Sequence, residues 1–224
     1  RPHAPGLRAA LAAAGRTADE IDYIIFATCT PDRQIPSAAC YVQTKLGADR
    51  AAAADINAGC TGFLYGVSMA WGLIATGQAG KVLVIGSERI SSYLDLEERS
   101  TTVLFGDGAG AAVLGHSEDA DRRVLGTNHC SDGGLWDLLY MHHSPSLNPE
   151  LQVEDNPGVH IHMEGREVFK LSGKAMEEAI DALFRQTRLK IEVVDLLIRN
   201  KANNRVLKTL VERLRIEREE VGIK

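Results

Sequence analysis

Short apolar runs alternate with stretches of helical periodicity, and this alternation constrains the fold more than any other feature of the chain. Residues 22–28 (DYIIFAT), 52–56 (AAADI) and 81–85 (KVLVI) are near-continuous apolar segments of strand length. Strands buried on both faces read this way, because each face must meet a layer of helices. Between them the periodicity is helical. Gly6 to Ala14 is alanine-rich and stopped by Gly15. Pro36 suits the first turn of a helix that runs to about Leu46, with Gly47 as its stop. From Cys60 a further helix places Phe63, Leu64, Val67, Trp71 and Ile74 on one inward face and ends at Gly77. Such alternation predicts an α/β fold.

Further along, Thr101 to Leu114 reads as strand, glycine turn, strand. Residues 116–160 are loop-rich, with Pro145, Pro149 and Pro157. A helix is expected from about Arg166 to Arg185, with Val168, Leu171, Ala175, Ala179 and Leu183 in register. Val194 to Ile198 reads as a strand and Asn203 to Leu214 as a helix. ADEIDYIIFA (Ala18 to Ala27) and IEVVDLLIRN (Ile191 to Asn200) share an acid, two residues, an Asp and then an apolar run. Chance or a duplicated architecture accounts for this echo.

Composition narrows the function. The chain has 224 residues and a net charge of -5, which argues against an electrostatic nucleic-acid binder. No apolar run is long enough to span a bilayer, so no membrane role is expected. The four cysteines, Cys29, Cys40, Cys60 and Cys130, form no CxxC pair and fit no common zinc spacing. A reduced, cytoplasmic setting is therefore expected.

The sharpest chemistry lies in Asp55 to Gly66, DINAGCTGFLYG. A strand ends, small residues turn the chain, and a helix begins at Cys60. Unpaired N–H groups at a helix start and its positive dipole end favour a thiolate, so the Cys60 pKa is expected to fall. Ala58, Gly59 and Gly62 leave room for a substrate carbonyl, and the same N–H groups suit an oxyanion. The competing reading is an inert buried cysteine in a strand–helix turn.

DINAGCTGF resembles the nucleophile segment of the 3-oxoacyl-acyl-carrier-protein synthase III family of thiolase-fold condensing enzymes. Six further segments resemble the same family in the same order: IPSAACYVQTKLGA (Ile35 to Ala48), VLVIGSE (Val82 to Glu88), FGDGAGAAVL (Phe105 to Leu114), SDGG (Ser131 to Gly134), MEGREVFK (Met163 to Lys170) and ANNR (Ala202 to Arg205). The resemblance implies a thiolase-like layered α/β/α/β/α fold built from two related halves. Residues 1–160 are then a first half carrying Cys60, and residues 161–224 the start of an incomplete second half. It also implies a homodimer, acyl-CoA and malonyl-acyl carrier protein as substrates, and neither cofactor nor metal.

The implied mechanism acylates Cys60 from acyl-CoA and condenses the acyl group with the carbanion left by decarboxylation of the malonyl unit. The family supports decarboxylation with a His and an Asn. Asn200 stands where that His is expected, and an amide cannot carry a proton as imidazole does. The family's Asn lies in a glycine-rich segment, and its coenzyme-holding Trp and Arg lie in an N-terminal one; neither is among these residues. By resemblance, Arg99, Asn203 and Arg205 face the coenzyme or carrier, and Ile35 limits the acyl pocket, often across the dimer interface. Arg166 falls where the family often has Asn. FGDGAGAAVLG lacks the rest of a dinucleotide fingerprint and reads as a close-packed turn in a sheet. His142, His143, His160 and His162 read as surface histidines, although alternation puts His160 and His162 on one face. Two alternatives stay open: an inactive homologue acting through subunit association, motivated by Asn200, and a cysteine hydrolase, which would need a histidine base near Cys60.

Overall fold

The computed structural model of the chain describes residues 3–119, 121–141 and 160–198. These fall into two compact units, one of residues Arg1–Arg89 and Gly106–Val124, the other of Ile90–Phe105 and Leu125–Lys224.

In the first unit three of the strands are those expected. β1 (Tyr23–Ala27), β2 (Ala52–Ile56) and β3 (Lys81–Arg89) are joined by β4 (Asp107–Gly115) in a sheet of order β2-β1-β3-β4. β1 runs parallel to both neighbours, with Ala27 opposite Ile56 of β2 and Gly86 of β3. β4 is antiparallel to β3, from Lys81↔Gly115 to Arg89↔Asp107. Here the structure corrects the sequence reading. Gly108 and Gly110 of FGDGAGAAVLG lie within one strand, not in a turn between two. Gly110 pairs with Gly86, and a Cβ on Gly86 would touch the Phe63 ring at 3.4 Å, so glycine there lets the next helix press against the sheet.

Period-two alternation sends each strand's apolar residues to two separate cores. Ile24, Phe26, Leu83 and Ile85 point to a core with Leu7, Leu11, Val42 and Leu46 of α1 (His3–Ala13) and α2 (Ala38–Leu46). Ile25, Val82 and Val84 point the other way, against Phe63, Val67, Ala70 and Ile74 of α3 (Gly62–Ala75). The α/β layering expected from the apolar runs is therefore present, with helices on both faces of a mixed sheet.

Helix limits follow their caps. Gly15, Gly47 and Gly77 take left-handed φ of 61°, 75° and 72° after α1, α2 and α3, as their positions in the sequence predict. α2 starts two residues after Pro36, because the cap is supplied from outside the helix. The Asp55 carboxylate accepts from the N–H groups of Ala38 (2.7 Å) and Ala39 (2.8 Å). In α3 the expected inward residues Phe63, Val67 and Ile74 pack against the sheet, but two others do not. Its buried residues are Gly62, Gly66 and Ala70, whereas Leu64 and Trp71, placed inward by the sequence reading, are 60% and 40% exposed.

In the second unit α4 (Arg99–Thr102) replaces the strand expected to start at Thr101. β5 (Leu139–Met141) and β6 (Ile161–Met163) pair antiparallel, and α5 spans Gly165–Thr187. Along α5, Val168, Leu171, Ala179 and Leu183 are half-buried as expected, but Ala175 is exposed. The strand expected over 194–198 is reduced to a bridge at Leu197. The internal echo nonetheless has a local counterpart: a short 3-10 turn precedes each apolar run, at Ala18–Glu20 and Ile191–Val193. The helix expected from Asn203 lies outside the described residues.

Candidate active site

The turn that carries Cys60 is built from backbone and short side chains. β2 ends at Ile56, and the Asn57 carboxamide oxygen accepts from the Gly59 N–H at 3.2 Å, closing the turn. Gly59 takes φ +52°, where a side chain would be strained. Gly59–Thr61 form a 3-10 turn, held by Thr61 N–H and Oγ1 donating to the Ala58 carbonyl at 3.2 and 2.8 Å. α3 then begins at Gly62. A Cβ on Gly62 would lie 3.1 Å from the Ala27 Cβ, so the helix start sits hard against the end of β1. Cys60 thus stands one short turn before the α-helix, at the carboxyl end of a parallel strand, where open α/β sheets place their ligand sites.

A second loop meets it there. Thr28, Cys29 and Thr30 leave β1, and all three are bound by the Glu88 carboxylate near the end of β3. The Cys29 N–H donates to Oε1 at 2.8 Å, and the Thr30 and Thr28 hydroxyls donate to Oε2 at 2.6 and 3.3 Å. The Arg89 N–H donates to Thr30 Oγ1 at 2.8 Å, closing the loop onto β3 from the other side.

These neighbours reverse the expected ionisation. Burial pushes the Cys60 thiol up, its own backbone N–H pulls it down, and the Glu88 carboxylate pushes it up again; the net direction is upward. The side chain is surface-accessible, yet enough protein surrounds the sulfur for desolvation to dominate. The N–H contribution expected at a helix start is present but smaller than the loss of hydration. The half-buried Cys29 thiol is pushed up to about 12, first by burial, then by the charge and hydrogen bond of Glu88, then by Cys60. Cys29, Cys60 and Glu88 thus form one electrostatic cluster. Sequence alone singles out only Cys60. The signal for Glu88 is an acid closing the otherwise uncharged run VLVIGSE at the active end of a parallel strand.

The remaining candidates are dispersed. Ile35 is 88% exposed on the loop between β1 and α2, next to a cis peptide to Pro36. That loop lines a surface pocket of about 410 Å³ with Asp32, Arg33, Pro36, Ser37, Ala38 and Tyr41; Cys60 is not among the lining residues. Arg99 is exposed at the first position of α4 in the second unit, beside Glu98, whose carboxylate accepts from the Ser100 N–H at 2.9 Å. Arg166 is exposed in the first turn of α5. His162 stacks on Tyr140 with ring centroids 5.1 Å apart, and His160 Nδ1 lies 3.9 Å from the Asp95 carboxylate. No group of metal-ligating side chains occurs among the described residues, and no helix there is long and apolar enough to cross a membrane. Asn200, Asn203, Arg205, His142 and His143 lie outside the described residues.

Known proteins are similar to this chain in sequence and fold. Residues 54–133, which hold the Cys60 turn, β3 and β4, match the family described as 3-Oxoacyl-[acyl-carrier-protein (ACP)] synthase III. A beta-ketoacyl-[acyl-carrier-protein] synthase III of Desulfotalea psychrophila is 42% identical over 214 residues, covering 96% of this chain and 66% of the relative. The crystal structure of the 3-oxoacyl-[acyl-carrier-protein] synthase III of Aquifex aeolicus superposes with a TM-score of 0.88 at 41% identity, over 97% of this chain and 66% of that one. Another crystal structure of a 3-oxoacyl-(acyl-carrier-protein) synthase III gives 0.85 at 30% identity, over 97% of this chain and 68% of that one. The chain thus spans about two thirds of the length of these relatives. Matching sequence along nearly the whole chain, matching fold and a cysteine turn inside the matched segment lead to one conclusion: the chain belongs to the 3-oxoacyl-[acyl-carrier-protein] synthase III family and has its thiolase-like α/β fold.

Proposed function

We propose that the chain carries the acylation centre of a 3-oxoacyl-acyl-carrier-protein synthase III, with Cys60 as the residue that is acylated. The Cys60 sulfur attacks the thioester carbonyl of an acyl-CoA. A new C–S bond forms, the C–S bond to the coenzyme breaks, and the proton lost from the thiol leaves with free CoA. Malonyl-acyl carrier protein then loses CO₂, and its carbanion attacks the acyl-cysteine. The new C–C bond yields a 3-oxoacyl thioester and returns the cysteine. The carbanion comes from decarboxylation, so the scheme calls on no cofactor. The observation that carries this reading is Cys60 at the carboxyl end of β2, in a turn shaped by Asn57 and Gly59 and open to solvent.

Within the proposal, Arg99, Asn203 and Arg205 hold the coenzyme or the carrier, as arginine's planar donor fork suits phosphate. Ile35, on the exposed loop after β1, limits the acyl chain, and the working species is a homodimer. Asn200 supplies an amide hydrogen bond during decarboxylation. The test is intact-mass measurement after incubation with acetyl-CoA and longer acyl-CoAs. An adduct of one acyl group that disappears in Cys60→Ala supports the reading. No adduct on folded protein, or one that survives Cys60→Ala, rejects it.

The raised Cys60 thiol favours a second reading alongside the first: a homologue that condenses poorly. A protonated thiol needs a base, and Asn200 cannot serve as one. Asn200→His separates the two readings. If acylation and condensation both rise in that variant, the natural chain is an impaired enzyme. If condensation is absent and stays absent in that variant, a role through subunit association is favoured.

A further inference from the structure

We propose that Glu88 is a positioning residue of the Cys60 centre: its carboxylate ties the loop leaving β1 to the end of β3 and sets a fixed negative charge against the sulfur to be acylated. The proposal rests on Cys60 being the acylated residue. Its geometry is independent of that reading. One carboxylate receives three hydrogen bonds from three consecutive residues, at 2.8 Å from Cys29 and at 2.6 and 3.3 Å from the two threonines. So many donors on one half-buried carboxylate exceed what a strand end needs. β3 itself is already paired on both sides, with β1 and β4.

The loop so held carries on to Ile35 and the 410 Å³ pocket, so its exit direction from β1 decides where the proposed acyl-limiting residue stands. The charge has a separate effect. Burial acts most strongly on the Cys60 sulfur, followed by the backbone N–H of Cys60 itself and then the Glu88 carboxylate from β3. A carboxylate facing a thiol disfavours the thiolate. Glu88 thereby adds to burial in keeping the resting nucleophile protonated and sheltered from alkylation and oxidation until substrate and a base arrive. Glutamine in its place removes the charge and leaves one acceptor oxygen where there were two.

The experiment measures iodoacetamide alkylation of Cys60 against pH in the full chain, by peptide mass spectrometry, with amide hydrogen exchange over residues 28–30. In Glu88→Gln the alkylation midpoint moves down, and the alkylation rate at pH 7 rises with the thiolate fraction. Thr30→Val removes the 2.6 Å bond without touching the charge, so exchange over 28–30 accelerates while the midpoint stays in place. Glu88→Asp keeps the charge but shortens the reach: exchange accelerates about tenfold with the midpoint still raised. An unchanged midpoint in Glu88→Gln, or an equal shift in Thr30→Val, overturns the charge role. Unchanged exchange in Glu88→Asp overturns the positioning role, and this arm decides the matter if Glu88→Gln does not fold. Iodoacetamide requires no thioester, so failure of acyl-CoA labelling with these shifts intact rejects the proposed function and not the role of Glu88.

Discussion

Gly66 of α3 and Val84 of β3 lie so close that a Cβ on Gly66 would sit 2.8 Å from Val84 Cγ1, and 3.4 Å from the Ile25 methyl on the neighbouring strand. Val84 is fully buried and cannot swing away. Gly66→Ala therefore forces the helix off the sheet. Overpacking of this kind costs about 1–3 kcal/mol, and the better helix propensity of alanine returns about 1 kcal/mol. We expect a net loss of up to about 2 kcal/mol in urea unfolding. Because α3 starts two residues after Cys60, we also expect slower acylation in the folded variant. A Gly66→Ala variant more stable than the parent contradicts the close approach.

The same contact explains what is and is not legible in the sequence. β1, β2 and β3 are readable because strands buried on both faces must be apolar throughout. The helix stops at Gly47 and Gly77 are readable because each needs a left-handed φ. The inward face of α3 is legible only in part: Phe63, Val67 and Ile74 pack as expected, but the closest contacts are made by small residues that hydrophobicity does not mark. Leu64 and Trp71 carry the signal but are exposed, whereas Gly62, Gly66 and Ala70 are buried. Cys60 stands out from its local turn, but its ionisation does not. The atoms that raise its thiol come from other segments, and no local pattern reports them. Glu88 is hidden for the same reason: an acid at a strand end reads as solvent-exposed until its three donors are seen.

Asp55 links the nucleophile turn to α2 through two N–H groups that have no partner within the helix. Asp55→Ala leaves both without that acceptor, and loss of a helix cap costs about 1–2 kcal/mol. Asp55→Asn keeps one oxygen and should lose about half as much. Urea midpoints of the two variants check the order. The same cap holds the end of β2 ahead of Ala58, so we expect Asp55→Ala to blur the Cys60 alkylation profile as well as lower stability. Equal stability of parent and Asp55→Ala removes this link.

Cys29 sits beside the proposed nucleophile and is chemically silent for a physical reason. With its thiol pushed up to about 12, the thiolate fraction at pH 8 is about one in ten thousand. We expect iodoacetamide at pH 8 to spare Cys29 in the folded chain and to modify it once urea removes the burial and the Glu88 contact. Peptide mapping before and after unfolding reads this directly. Rapid Cys29 labelling in the folded state contradicts the buried contact with Glu88.

Glu20 supplies the clearest pH dependence. Its carboxyl is held down at about 2, below the usual 4.5, mainly by the hydrogen bond from the Thr17 N–H at 2.9 Å, with help from Lys81 and the Thr17 hydroxyl and against some desolvation. The folded value lies below the unfolded one, so the folded chain favours the ionised carboxylate. That contribution to stability is full above about pH 4.5 and disappears as pH falls toward 2. Glu20→Gln removes the titration. Its stability relative to the parent should be lowest above pH 4.5 and converge with it near pH 2. Because Glu20 is only half-buried and its pair with Lys81 at 3.3 Å is screened, the Lys81 share should fade in high salt while the Thr17 share persists. Carbon-13 titration of the Glu20 side chain gives the midpoint itself. A value near 4.5 would mean that the Thr17 turn ahead of β1 is not closed in solution.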